Sequence, residues 1–265
     1  MVEESERDAL RLIFDEDADA YDRTRPRCPD YVFDDVVELA KLRPGSRVVE
    51  VGCGTGQATV PLAERGLSVA AVEIGPRLAD RARMNLARFP AVEVETTSFE
   101  DVEPGERPFD AVIAVNAFHW IDPRVRFAKA AQLLGGRGHL VLVATPWVVP
   151  PGASSFWWEV QDDWAAVGAE RVDPSAKHPD RVRDFSDDIA ASGLFQNVEA
   201  RRYLFEVTFS ADDYATNLRT QSGLRELAPH ARTELIDRVR ERVMAHGGVV
   251  TAHLLATVNV AALSS

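Results

Sequence analysis

Arg47-Val48-Val49-Glu50-Val51-Gly52-Cys53-Gly54-Thr55-Gly56-Gln57 is the stretch whose reading decides the fold. Its first five residues are short, apolar and rich in valine, which suits a buried strand. Three glycines follow at alternate positions, and a helical pattern then runs from about Gln57 to Glu64. Glycine is needed where backbone turns tightly and approaches a ligand with no Cβ in the way. A plain tight turn would use the same glycines, so spacing has to discriminate. The dinucleotide fingerprint G-x-G-x-x-G would put its third glycine at position 57, where this chain has Gln57. The pattern is instead E-x-G-x-G-x-G. A second strand, residues 69–72, leads to Glu73, where a carboxylate can accept both hydroxyls of a ribose. The same carboxylate could simply be a favourable charge at the next helix N-terminus.

Working outward, residues 30–41 space Val32, Phe33, Val36, Val37, Leu39 and Ala40 as one helical face, which stops before Arg43-Pro44-Gly45. Downstream, 76–89 reads as helix, 92–96 and 109–115 as strands, 123–134 as helix and 138–144 as a further apolar strand. Short, continuously apolar strands alternating with helices predict a parallel sheet covered on both faces. Residues 146–183 break the pattern with Pro146, Pro150, Pro151, Pro174 and Pro179 around an aromatic helix. A helix at 184–193 follows, then two long strands at 198–209 and 249–262 able to pair antiparallel at the sheet edge. The expectation is an α/β fold, doubly wound, with a mostly parallel seven-stranded Rossmann-like sheet, an antiparallel edge strand and a helical insertion or cap. Residues 1–145 would hold lead-in helices and the cofactor-binding half, 146–183 the insertion, and 184–265 the remainder with a helical excursion at 211–246.

Bulk properties narrow the function. A formal charge of -12 repels nucleic acid at long range. Arg238, Arg240 and Arg242 share a helix with Glu234, Asp237 and Glu241, which reads as a solvated, ion-paired face. No apolar run approaches the ~20 residues of a membrane span, and the acidic start (MVEESERD) is unlike a signal peptide. Cys28 and Cys53 make no disulfide framework. A cytoplasmic protein is expected, with neither nucleic acid nor membrane as partner. His139, His178, His230, His246 and His253 show no metal-ligand spacing, so no metal is expected.

Three stretches, VVEVGCGTGQAT (48–59), AVEIGPRLADRAR (71–83) and FDAVIAVNAFHWID (109–122), resemble the successive motifs of class I S-adenosylmethionine-dependent methyltransferases. With the lead-in Phe14-Asp15 and Tyr21-Asp22-Arg23-Thr24-Arg25-Pro26-Arg27, the last stretch resembles the small-molecule branch of methyltransferase type 11, which includes trans-aconitate methyltransferase-like proteins. The similarity covers roughly residues 14–145. It implies S-adenosyl-L-methionine as cofactor, leaving as S-adenosyl-L-homocysteine. It further implies that Gly52, Gly54 and Gly56 with adjoining backbone line the methionine part, and that Glu50 orients the loop. Glu73 would hold the ribose, Ile74 would pack on the adenine, Ser98 and Phe99 would border it, and Asn116 with Ala117 would lie beside the sulfonium. Tyr21 and Arg25 match a segment that folds over the cofactor, Arg25 pairing with its carboxylate. The family often has Asp where this chain has Ser98, and serine accepts from the adenine amine more weakly.

On the acceptor side, His119 is the candidate base, since imidazole accepts a proton near neutral pH. It could equally orient the loop through a backbone hydrogen bond. Trp147, Phe156, Trp157, Trp158 and Trp164 could roof an acceptor pocket or form a packed face, with Pro150-Pro151-Gly152 as a hinge. The chain reads Asn116-Ala117-Phe118-His119, not the Asn/Asp-Pro-Pro-aromatic run of enzymes that methylate amino groups of bases or protein amides. The acceptor expected is a small metabolite. A binding module without turnover is the competing reading, and the oligomeric state is open, with a homodimer as one option.

Overall fold

Consecutive residues of a strand point to opposite faces of its sheet, and Val48 and Val49 do so here: each is fully buried, in a different core. That two-sided burial explains why the strands read as continuous apolar runs. The computed structural model describes residues 13–105, 107–221, 223–224 and 227–264. The acidic stretch at residues 1–8 lies outside them.

Strands β1 (Arg47–Val51), β2 (Ser68–Glu73), β3 (Val92–Thr96), β4 (Ala111–Val115) and β5 (His139–Ala144) lie parallel in the order β3-β2-β1-β4-β5. Helices α1 (Ala18–Thr24) and α2 (Asp30–Leu39) precede β1, while α3 (Thr59–Glu64), α4 (Pro76–Leu86) and α5 (Arg126–Leu134) are the crossovers. Phe33, Val36, Leu62 and Leu86 bring α2, α3 and α4 onto the Val48 face. Leu133 and Leu134 bring α5 onto the Val49 face, joined by Ile189 of α7 (Ser186–Ser192). The sheet is therefore doubly wound. Strand order reverses between β1 and β4, the place where such sheets take their ligands.

The two long strands are β8 (Val249–Leu263), paired on both sides, and β7 (Phe195–Ser210), at the edge beyond it. β8 runs antiparallel to β5, with Val141 opposite Val260, and β7 runs antiparallel to β8 along its length. The seven strands expected are present. An eighth, the two-residue β6 (Trp147–Val148), pairs with β8 beyond the end of β5, because the chain after Pro146 keeps the direction of β5 for one more step. Helices α6 (Phe156–Ala166), α8 (Ala211–Arg219) and α9 (Pro229–Ala245) pack a third core around Phe156, Tyr214 and Leu235 against the far ends of β7 and β8. The arginines of α9 are ion-paired as their spacing predicts: Arg238 with Glu234 at 2.8 Å, and Arg240 with Asp212 at 2.9 Å and Asp237 at 3.2 Å. Arg242 crosses to Glu159 and Asp163 of α6.

The lead-in is tied down by two aspartates. Helix α4 starts at Gly75-Pro76 with no side-chain cap of its own, and Asp15 supplies one, accepting from Leu78 N–H at 2.8 Å. Asp22 accepts from Thr55 Oγ1 at 2.8 Å and from Asn85 at 3.2 Å, and pairs with Arg81 at 3.2 Å. Helix α1 is thereby fastened to both the glycine loop and α4.

The third glycine serves packing. Gly56 has φ +86°, and a Cβ there would lie 2.9 Å from Leu86 Cδ1. Gly56→Ala is expected to lower the unfolding free energy by about 1–3 kcal/mol, from left-handed strain plus the Leu86 clash. Urea denaturation followed by far-UV circular dichroism measures it.

Candidate functional site

All five parallel strands end in one cavity of about 820 Å³. Gly52 follows β1, Glu73 and Ile74 close β2, Thr97 and Ser98 follow β3, Asn116 and Ala117 follow β4, and Thr145 follows β5; each lines it. Carboxyl ends of parallel strands turn into loops at one edge of the sheet, so residues far apart in the chain meet there.

The glycines of the loop have separate tasks. Gly52 and Gly54 have φ of +63° and +57° and face the cavity. A Cβ on Gly52 would lie 2.8 Å from Ala117 Cβ, so β1 and β4 can close together only without it. Gly56 lines no part of this cavity and meets Leu86 instead.

Glu73 is the charged centre of the loop. It is 6% exposed, and its carboxylate accepts from Gly54 N–H at 2.8 Å and Gly75 N–H at 2.9 Å. Burial raises its pKa, and the two amides partly counter that by favouring the charged form. Glu50 lies elsewhere. It is 1% exposed, borders a second cavity of about 50 Å³ behind the loop with Cys53 and Gly54, and does not line the main one. Burial lifts its carboxyl to about 8, against the lowering effect of Thr59. One of its oxygens, Oε2, has no partner among the described residues.

Phe14, Tyr21 and Arg25 roof the cavity from the lead-in. The Arg25 guanidinium sits 5.5 Å from the Phe14 ring centroid and 5.2 Å from that of Tyr21, and donates to Thr220 O at 2.5 Å. Its buried Nε has no acceptor among the described residues, and burial lowers its pKa. A desolvated cation with a spare donor is complementary to a carboxylate. Opposite lie Ile74, Ser98 and the buried Phe99. The Ser98 hydroxyl is already engaged, donating to Asp101 Oδ2 at 2.7 Å and accepting from Asp101 N–H at 3.2 Å as a helix cap. Asn116 has φ +56° and is locked by Thr145, donating to its Oγ1 and accepting from its N–H, both at 2.7 Å.

His119 lines the cavity from the turn after β4 and makes no hydrogen bond to the described residues, so the loop-orienting bond is not seen. Desolvation, then the Arg126 cation, lowers its pKa, leaving the imidazole neutral and able to accept a proton. Of the aromatic set after β5, only Trp147 lines the cavity. Phe156, Trp157 and Trp164 belong to the third core, and Trp158 is exposed on the surface. The wall that sequence reasoning missed is Val182, Arg183, Asp184, Phe185, Asp187 and Asp188, with Leu254 of β8. Buried Asn259 holds this wall, accepting from Phe185 N–H at 3.1 Å and donating to Ser186 Oγ at 2.9 Å. A buried asparagine inside an apolar strand was the one available signal, since such amides need partners. Among the described residues no His, Cys, Asp or Glu cluster could hold a metal, and no helix is long and apolar enough to cross a membrane.

Residues 48–138, from β1 almost to β5, match the model of a methyltransferase domain. An uncharacterized methyltransferase of Mycobacterium bovis is 27% identical over 247 residues, 93% of this chain and 92% of that protein. The solved structure of a provisionally named type II methyltransferase from Anaeromyxobacter dehalogenans superposes with a TM-score of 0.61 at 21% identity, covering 90% of this chain and 97% of that one. A Haemonchus contortus phosphoethanolamine N-methyltransferase 2, solved with phosphomonomethylethanolamine and S-adenosylhomocysteine, gives 0.54 at 13% identity, covering 97% of this chain and 60% of that one. At these identities the solved structures speak to fold alone.

Glu50 generates a pH dependence. The folded carboxyl keeps its proton up to about 8, while the unfolded chain releases it near the ordinary 4.5. Between those values the native state binds more protons, so this residue's contribution to stability falls as pH rises. Glu50→Gln should flatten the stability profile of the ligand-free protein across that window, as measured by urea unfolding at acidic, neutral and mildly alkaline pH.

Proposed function

We propose that this chain is a class I S-adenosylmethionine-dependent methyltransferase, as its methyltransferase-domain match and its methyltransferase relatives support, and that it carries a methyl group to a small acceptor held beside the cofactor in the main cavity at the strand ends. Bound there, S-adenosylmethionine would supply a methyl carbon already activated by its sulfonium. The work left to the protein is alignment and exclusion of water.

The observation that carries this reading is the cavity itself. It joins the glycine loop, the Glu73 carboxylate and the unpartnered Arg25 donor to a second lobe bordered by His119, Trp147 and Phe185. Its volume of about 820 Å³ suits a small-ligand site of about 300–1,000 Å³. In the cofactor lobe, Glu73 would accept from the ribose hydroxyls, its carboxylate held in place by the Gly54 and Gly75 amides. Ile74 and Phe99 offer apolar surface to the adenine, and Ser98, polarised by Asp101, keeps acceptor capacity for its amine. Arg25, beside Tyr21, would hold the carboxylate of the methionine part, while Gly52, Gly54, Asn116 and Ala117 would allow close backbone approach around the sulfonium. Glu50 and Gly56 act behind the loop, setting its shape without touching ligand.

The second lobe suits an acceptor with both an apolar face and a polar end, because Trp120, Ile121, Trp147, Phe185 and Leu254 line the cavity together with Arg183, Asp184, Asp187 and Asp188. His119, neutral and facing the lobe, removes the acceptor proton as the methyl group transfers. The methylated product and S-adenosylhomocysteine would then leave, and the His119 imidazolium would pass its proton to water, restoring the free site.

Two measurements test this reading. Calorimetric titration should show S-adenosylhomocysteine binding and no NADH binding, and Glu73→Ala should weaken the former by about 1–3 kcal/mol, the cost of losing hydrogen bonds to a charged acceptor. Unchanged affinity sinks the ribose assignment. Incubating methyl-labelled cofactor with fractionated small metabolites should yield labelled product. On that acceptor His119→Ala should lower turnover by ~10²-fold at unaltered S-adenosylhomocysteine affinity. The wild-type rate should reach its plateau from a pKa below the ordinary 6.5 of histidine, because desolvation favours the free base. Cofactor retention with no labelled product in any fraction would mark a binding module instead.

A further inference from the structure

β7 is a 16-residue strand with β8 along one edge and, among the described residues, no strand along the other. A long free edge presents unpaired N–H and C=O groups, and most proteins protect it with charges, bulges or a cover. Here the middle of the edge carries charges of both signs, Arg202 and Glu206, around an exposed leucine. Leu204 is 49% exposed, and on the opposite face Tyr31 of α2 is 47% exposed against Tyr203, with ring centroids 5.4 Å apart.

Around Leu204 the strand has the same chemical order read from either end, apart from charge: Arg202-Tyr203-Leu204-Phe205-Glu206 runs cation, aromatic, leucine, aromatic, anion. We propose that the free edge of β7 pairs antiparallel with the same edge of a second copy of this chain, about a two-fold axis at Leu204. That operation sets Arg202 opposite Glu206 of the second copy, and Tyr203 opposite Phe205, each twice, with Leu204 against itself. Opposite charges and aromatic pairs directly across strands are stabilising, and like charges are not. An interface of this kind must be self-complementary, and this one is.

The register is set as well as the partner. Moving the axis to residue 202 would put Arg202 against Arg202, and moving it to residue 206 would put Glu206 against Glu206. The regular pairing of β7 begins at Glu199, after the irregularity between Gln196 and Glu199, and ends at Ser210, where α8 takes over. Leu204 lies at the centre of that stretch. The charged groups keep capacity for the contact. Arg202 uses its Nη atoms on Pro179 O and Val182 O, leaving Nε, and Glu206 uses Oε1 on His253, leaving Oε2. Since Val182 also lines the main cavity, the interface would brace the acceptor wall.

Sedimentation velocity of the full chain, over a wide range of micromolar concentrations at physiological salt, tests this. The wild type is expected as a dimer and Leu204→Lys as a folded monomer with the wild-type far-UV circular dichroism spectrum. Arg202→Glu, which opposes two like-charged pairs, should raise the dimer dissociation constant about tenfold or more. The double variant Arg202→Glu/Glu206→Arg should bring it back, an outcome that a merely damaged fold would not give. A monomeric wild type, a dimer indifferent to Leu204→Lys, or a double variant no tighter than Arg202→Glu would each overturn the proposal.

Discussion

The Glu73 carboxylate joins two backbone turns that would otherwise be independent. One oxygen takes the Gly54 amide of the loop after β1, and the other takes the Gly75 amide at the start of α4. A carboxylate buried to 6% exposure costs desolvation energy, and only charge-assisted hydrogen bonds of this kind make it tolerable. The two loops are consequently held in one geometry, with the charge at the edge of the cavity. The site is preorganised around an anion that is partly, not fully, satisfied, which leaves it able to accept further donors from a ligand.

Around that centre the chain arranges two kinds of polar group. Arg25 and His119 line the cavity, and each is pushed toward its neutral form by desolvation: Arg25 with a donor to spare, and His119 with no hydrogen-bond partner among the described residues. Asp15, Asp22, Asn217 and Asn259 do the opposite and spend their hydrogen bonds on holding segments in place. Asp15 caps α4, Asp22 clamps the glycine loop, Asn217 donates to Thr24 O at 2.9 Å, and Asn259 fixes the 185–186 turn. Helix α8 thus supports the roof and β8 supports the wall, so the C-terminal third builds the site as much as the glycine loop does.

The alternation of apolar runs and helical faces in the sequence was sufficient for the doubly wound sheet, since each strand of a two-sided core must be apolar throughout. It marked β8 for the same reason, whereas β7 is polar and mostly exposed or half-buried, as an edge strand can be. Spacing pointed to Gly52, Gly54, Glu73 and His119 and the resemblance added Asn116; they meet in one region because each stands at the carboxyl end of a strand. The aromatic segment after β5 was ambiguous: Trp157 and Trp164 have the spacing of a packed face, and a packed face is what they form, while Trp147, stacked on Phe209 at the border of that core, also lines the cavity.

The sequence by itself determined the sheet, its hand and the edge at which a ligand is met, since strand periodicity and the glycine loop are local properties written in consecutive residues. Only the tertiary structure decided which loop residues face the ligand and what closes the cavity. Glu50, Gly52, Gly54 and Gly56 are alike in the motif, yet Glu50 and Gly56 turn away because Thr59 and Leu86 occupy the far side. The wall at 182–188 carries no periodic signal; it is placed by hydrogen bonds from Arg202 and Asn259, residues 20 and 74 positions away. Contacts across such distances depend on how β7 and β8 pack, and no window of neighbouring residues contains that information.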